Sequence, residues 1–188
     1  MKIGIAGGIG SGKSYVCQYL RQMGYEVYDC DAAAKRLIRT SPEIRQQLTE
    51  LIGPDTYDAD GQLNKAVVAR FLLASEANAK AIDAIVHPAV FRDFEESGLQ
   101  WMESAIMYES GINRLMDVVI AVIAPKEVRI KRVMERDQIS REKVLEWMNR
   151  QYPQREVIHR ADYVVINDGN ANIEQQLNKI IRQCNKPF

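Results

Sequence analysis

The sequence predicts an α/β fold, a parallel sheet flanked by helices with a helical insertion in mid-chain. Three observations carry this. Strand and helix patterns alternate at both ends of the chain. The middle, roughly residues 64–96, reads as helix with no strand between. Val118–Ala124 is a continuous apolar run, the pattern of a strand covered on both faces.

Taken in order, Lys2–Ala6 is a first short strand ending in a glycine-rich turn. Lys13–Met23 follows as a helix, with Val16, Tyr19, Leu20 and Met23 at helical spacing and Gly24 as its stop. Tyr25–Tyr28 is a second strand. Asp31–Arg39 is an alanine-rich helix, and Ser41-Pro42-Glu43 opens another in good N-terminal form. Gly53–Gly61 carries turn residues. Helices are expected at Asn64–Leu73, at Glu76–Val86, and again from Pro88 to about Glu96. Leu99–Met107 reads as a strand, Pro125–Arg136 and Ser140–Gln151 as helices, Tyr163–Ile166 as the last strand, and 171–182 as a terminal helix.

The 188 residues suit one domain, and a chain this long buries about 70% of its unfolded surface without staples. Lys+Arg and Asp+Glu both number 25, so no global basic field exists to hold nucleic acid or an anionic membrane. No stretch approaches the about 20 apolar residues of a membrane span, and the glycine-broken opening does not read as a signal peptide. Cys17, Cys30 and Cys184 are odd in number and lack C-x-x-C spacing, which suits reduced thiols and a cytoplasmic location.

Charge is uneven locally. Residues 125–160 hold ten Lys/Arg against six Asp/Glu, a surplus of +4, and the remainder carries the matching −4. Such a segment is either a solvated helix pair laced by i,i+4 charges or a basic flap over an anionic ligand.

The opening strand leads into Gly7-Gly8-Ile9-Gly10-Ser11-Gly12-Lys13-Ser14, which fits G-x-x-x-x-G-K-[ST], the phosphate-binding P-loop. Glycines let the loop curl with its N–H groups inward around a phosphate. The next helix offers the positive end of its dipole and unpaired N–H groups from Gly12 to Tyr15. Lys13 can reach β- and γ-phosphate oxygens, and the Ser14 hydroxyl can ligate Mg²⁺. The dinucleotide fingerprint G-x-G-x-x-G fails, because Lys13 and Tyr15 stand where its third glycine belongs.

Three kinds of P-loop protein are weighed. The guanine motif N-K-x-D fails at Asn64-Lys65-Ala66-Val67. A mechanical ATPase needs an apolar strand ending in Asp-Glu, whereas Val118–Ala124 runs into Pro125. A small-molecule kinase remains, and it needs a carboxylate near acceptor and metal. Asp29-Cys30-Asp31 supplies two at the carboxyl end of the second strand, on one face if the strand continues through them. The plainer alternative is that they cap the following helix.

With these residues in view, the chain resembles the dephospho-coenzyme A kinases along nearly its whole length. The likeness rests on the opening Gly-Gly-Ile-Gly-Ser-Gly-Lys-Ser, Asp29-x-Asp31, His87-Pro88, Tyr108-Glu109, Lys131-Arg132, Arg136-Asp137, Ser140-Arg141, Gln151, and the ending Ala161 to Gly169. The resemblance implies a P-loop NTPase fold with a five-stranded parallel core (residues 1–30, 99–124 and 161–188), a helical substrate-binding insertion at about 31–98, and a helical lid at about 125–160. It implies transfer of the ATP γ-phosphoryl to the ribose 3′-hydroxyl of dephospho-coenzyme A, with ATP and Mg²⁺ required. No nucleic acid, membrane or obligatory protein partner is expected.

By the same resemblance Asp31 is the base, with Lys13 and Arg136 as its catalytic companions. Gly8, Gly10, Ser11, Gly12, Lys13, Ser14, Tyr15, Arg132 and Asn167 hold the nucleotide. Asp31, His87, Glu109 and Arg141 face the substrate, and Ser14 and Asp29, the latter through water, serve the metal. Bottom-up, a lone His before Pro88 is first a helix-start residue. Two departures stand out. Ala105-Ile106-Met107 replaces the family's Pro-Leu-Leu, and Tyr15 takes the place of a small hydroxyl residue, so its ring must turn away. Arg155 is basic at the lid's end but aligns loosely and is left without a role. The rival functions are a nucleoside or nucleotide kinase and an ATP-responsive binding protein that transfers nothing.

Overall fold

The computed structural model describes residues 1–184. Positions 185–188, counted by sequence with the core, lie outside the described residues. The elements in chain order are β1 (Ile3–Ala6), α1 (Lys13–Gln22), β2 (Val27–Asp29), α2 (Cys30–Thr40), α3 (Pro42–Ile52), α4 (Lys65–Ala74), α5 (Glu76–Ser97), β3 (Trp101–Ser104), β4 (Val118–Ile123), α6 (Lys126–Asp137), α7 (Arg141–Asn149), α8 (Gln154–Arg160), β5 (Tyr163–Ile166) and α9 (Ile173–Cys184). The five strands form one parallel sheet in the order β2-β3-β1-β4-β5. The chain divides into two compact units, Met1–Tyr28 with Leu99–Phe188, and Asp29–Gly98.

In the first unit β1 lies between β3 and β4, pairing Ile3 with both Trp101 and Val118. Ile5, Ile120 and Val122 are wholly buried, which explains why these strands read as unbroken apolar runs rather than alternating ones. Val16, Cys17 and Leu20 of α1 and Ile173, Leu177, Ile180 and Ile181 of α9 pack with them in one cluster. Each such side chain contributes roughly 1.5–3 kcal/mol on burial. Asp162 fixes the entry to β5, its carboxylate accepting the Val119 N–H at 2.8 Å.

A smaller cluster joins α6 and α7 through Ile130, Val133 and Val144, with Ile9 of the glycine loop and Trp147 packed against it. The loop crest is therefore part of this hydrophobic layer. In the second unit α3 and α5 pack through Ile44, Leu48 and Ala89. Ser41 caps α3 by accepting the Ile44 N–H, with Pro42 in the first turn, as the sequence pattern indicates.

Several expectations are corrected. Residues 76–97 form one helix, not two: Pro88 lies inside α5. Its ring costs the Ala84 carbonyl a partner but does not end a helix that packs against α2 and α3. His87 is accordingly a mid-helix residue, not a helix start. The strand expected over Leu99–Met107 is only Trp101–Ser104, because residues 105–111 turn. The short helix α8 has no counterpart in the sequence reading. The second strand ends at Asp29, and Asp31 stands in the first turn of α2. The two carboxylates thus do not share a strand face.

Candidate active site

The glycine loop joins β1 to α1. Gly10 and Gly12 hold φ of 76° and 88°, the left-handed region that side chains disfavour. Gly8 is packed against the Arg129 guanidinium: a Cβ there would meet its Nη2 and make that group shift. The loop is held from behind by Asn167, just after β5. Its Nδ2 donates to the Ser11 carbonyl at 3.0 Å, and its backbone N–H donates to the Ile123 carbonyl at 2.8 Å. Arg132 of α6 donates to the Asn167 carbonyl at 3.0 Å and to Oδ1 at 3.3 Å. Three of the expected nucleotide residues, Ser11, Arg132 and Asn167, therefore form one linked group.

Lys13 is only 8% exposed. Its stem runs beneath the loop, with Cγ 3.3 Å from the Cβ that Gly7 lacks. Ser14 Oγ donates to Oε1 of Glu103 on β3 at 3.2 Å. A hydroxyl beside a carboxylate is a hard-oxygen donor pair, the kind Mg²⁺ uses when phosphates and water complete its shell. Among the described residues no group of three or more His, Cys, Asp or Glu could hold a metal by itself. Ser11 Oγ is buried without a hydrogen-bond partner, an orphaned polar atom inside the phosphate loop. Burial, with the neighbouring Glu103 adding to it, pushes the Cys17 thiol up, so it stays protonated.

Tyr15 is half exposed, and its ring meets Tyr19 edge-on at 5.2 Å. The two rings, with Gly12, Arg132, Asn167 and Asn172, line a cavity of about 610 Å³ at the start of α1. The bulky ring has thus become a cavity wall.

Other expected residues are engaged elsewhere. Arg136 makes a two-pronged pair with Asp137 at 2.7 and 2.8 Å, and Arg141 a similar one with Glu127 at 2.7 and 2.8 Å. These partners hold the Asp137 and Glu127 carboxyls below their usual range. Glu109 accepts the Tyr152 N–H at 2.7 Å and so fastens the turn after α7. Five of the six acids of residues 125–160 sit in ion pairs within the segment. Lys126, Arg129, Arg132 and Arg155 have no ion pair there among the described residues.

In the second unit Asp29 is the N-cap of α2, accepting the Ala32 N–H at 2.9 Å, as the plainer alternative had it. Asp31 follows in the first turn. His87 lies 3.6 Å from Asp83 and stacks on Phe91 with ring centroids 6.3 Å apart.

Sequence reasoning missed Glu103, Arg129 and Gln154. Glu103 had a signal, a lone carboxylate within an apolar strand. Arg129 had one also, standing with Ile130 and Val133 on the inward side of its helix.

Comparison with known proteins gives the family. The family model for dephospho-CoA kinase matches residues 1–173. A dephospho-CoA kinase of Bacteroides fragilis is 38% identical over 192 residues, covering 96% of this chain and 91% of the relative. The crystal structure of TT1252 from Thermus thermophilus superposes with a TM-score of 0.86 at 33% identity, over 100% of this chain and 98% of that one. The dephospho-CoA kinase of Campylobacter jejuni shares the fold, with a TM-score of 0.67 at 18% identity over 98% of each chain. The chain belongs to the dephospho-CoA kinase family.

Proposed function

We propose that the chain transfers the γ-phosphoryl of ATP to the ribose 3′-hydroxyl of dephospho-CoA, giving CoA and ADP. The observation that carries this reading is the phosphate loop itself, with Lys13 beneath it and Ser14 beside Glu103, in a chain of this family. The loop N–H groups and the α1 N-terminus bind the β- and γ-phosphates. Ser14 and Glu103 would hold Mg²⁺, which supplies neutralisation of phosphate charge, and Asp29 would order water around it.

Asp31 accepts the 3′-hydroxyl proton. The freed oxygen forms a bond to the γ-phosphorus as the bond to the β-bridging oxygen breaks, and ADP leaves. Lys13, Arg132 and Arg136 neutralise charge on the transferring group. Arg136 must first exchange Asp137 for phosphate, and Arg141 must exchange Glu127 for substrate. Such solvent-exposed pairs contribute little to stability, so the exchange is easy. Residues 125–160 then act as a lid that excludes water, with His87 and Glu109 on the acceptor's side. Cytoplasmic residence fits three unbridged cysteines.

The test is ADP release with ATP and each of dephospho-CoA, adenosine, AMP and no acceptor. Rapid release only with dephospho-CoA supports the reading; release with a nucleoside alone, or with none, overturns it.

A further inference from the structure

We propose that Arg129 is a positioning residue of the donor site, a buried cation whose charge is balanced by the β-phosphate of the bound nucleotide. The proposal rests on the phosphate-donor reading of the glycine loop and goes beyond it in naming what braces and charges that loop.

Arg129 stands one turn into α6 and is 7% exposed. Its Nε donates to the Ile9 carbonyl at 2.9 Å and Nη1 to Gln154 Oε1 at 3.4 Å. Nη2 lies against Gly8, where a Cβ would displace it, and the Arg129 backbone carbonyl leaves no room for a Cβ at Gly10. Gln151 takes the other end of the same residue, accepting the Ile9 N–H at 2.8 Å and donating to the Ala105 carbonyl at 3.1 Å. The crest of the phosphate loop is thus clamped by both of its polar groups, from residues of the proposed lid segment.

The electrostatics are unbalanced. Both acceptors of Arg129 are neutral oxygens, and no carboxylate pairs with it among the described residues. Burial alone shifts its ionisation, downward, with no opposing charge. A buried cation without a partner is costly, and one placed under a loop that receives phosphate has its compensation in the ligand. Arg132, also free of ion pairs, approaches the same loop from its Gly12 end through Asn167. The positive surplus of residues 125–160 is therefore gathered partly at the loop rather than spread over a solvated face.

The experiment titrates ADP and AMP into wild type, Arg129→Gln and Arg129→Lys by calorimetry, with thermal unfolding of each free protein. Arg129→Gln should weaken ADP by about tenfold or more, the scale of a lost nearby charge in a partly buried setting. It should change AMP by less than about twofold, since AMP lacks the β-phosphate, and the free protein should lose little stability because the unpaired charge goes with the bonds. Arg129→Lys, which keeps the charge but not the fork, should retain most of the ADP-over-AMP preference. Equal weakening of both nucleotides, or no change for ADP, would overturn the proposal. If Arg129→Gln does not fold, Arg129→Lys decides: a preserved preference supports the charge role and a collapsed one overturns it. A wild type that does not prefer ADP over AMP would instead sink the donor-site reading itself.

Discussion

Asn167→Ala tests how the phosphate loop is held. Asn167 is buried and ties three chain segments together: Nδ2 to the Ser11 carbonyl, Oδ1 to Arg132, and its own N–H to Ile123. Alanine removes the first two and keeps the third. Ser11 is fully buried, so its carbonyl is left without that donor and without water. An orphaned buried group costs about 1–3 kcal/mol. Arg132 keeps its 3.0 Å bond to the backbone carbonyl and so loses only part of its anchorage. A total near 2 kcal/mol should lower the melting temperature by roughly 4–8 °C for a chain of this size. Urea unfolding and ADP titration on the same sample read both consequences. Asn167→Asp separates them, since it keeps the volume and the Arg132 contact but turns a carboxylate oxygen towards the Ser11 carbonyl. ADP affinity should fall further in Asn167→Asp than in Asn167→Ala. A loss under about 0.5 kcal/mol in Asn167→Ala, with unchanged ADP binding, would refute the role given to this residue.

Lys13→Ala should abolish most transfer, by about 10²-fold or more on the scale of a lost preorganised donor; near-normal turnover would remove the loop from the mechanism. Asp31→Asn should cut turnover by roughly 10²–10⁴ while ADP binding holds, as expected for a lost general base; retention of a tenth of the activity contradicts that role. Asp29→Asn keeps a good N-cap and should fold normally, whereas Asp29→Ala should cost about 1 kcal/mol; equal stability of the two would deny the cap. Burial and the Asp162 carboxylate push the Tyr108 phenol up to about 12 from its ordinary 10.0. A raised folded-state value favours the native state fully below pH 10 and loses that advantage as pH climbs towards 12. Stability should therefore fall over that window, less steeply in Tyr108→Phe, and an identical slope would count against it. Tyr108→Phe should also be neutral or stabilising at pH 7, because the buried hydroxyl has no partner.

Much of the fold was legible because its signals are local. The apolar runs of β1 and β4 and the glycine loop between β1 and α1 are visible residue by residue. Ser41-Pro42-Glu43 announces α3 in the same way. What escaped depends on tertiary context. Pro88 reads as a boundary, yet the helix continues through it because packing against α2 and α3 outweighs one lost hydrogen bond. The carboxylates of Asp29 and Asp31 fall on either side of a strand–helix junction that spacing alone does not locate. The burial of Lys13 follows from the curl of the loop above it, which residue type alone does not reveal. The charge surplus of residues 125–160 was countable, but which cations remain after the Arg141–Glu127 and Arg136–Asp137 pairs form is a matter of three-dimensional neighbours. Glu103 is hard to read from sequence because it stands inside the short strand β3, while the longer apolar strand β4 ends without an acid.

Lid behaviour has a direct reading in amide exchange. ATP with dephospho-CoA should slow exchange across 125–160 as Arg136 and Arg141 change partners, and unchanged protection would reduce these helices to a static surface.

The measurement that bears most directly on the central claim is the position of the new phosphate. Wild type is incubated with ATP and dephospho-CoA, and the product is examined by phosphorus–proton NMR, with a 3′-deoxy acceptor in parallel. The account predicts a monoester coupled to the ribose 3′ proton and no transfer to the 3′-deoxy compound. A phosphate on any other hydroxyl, or transfer that survives loss of the 3′-oxygen, would contradict it.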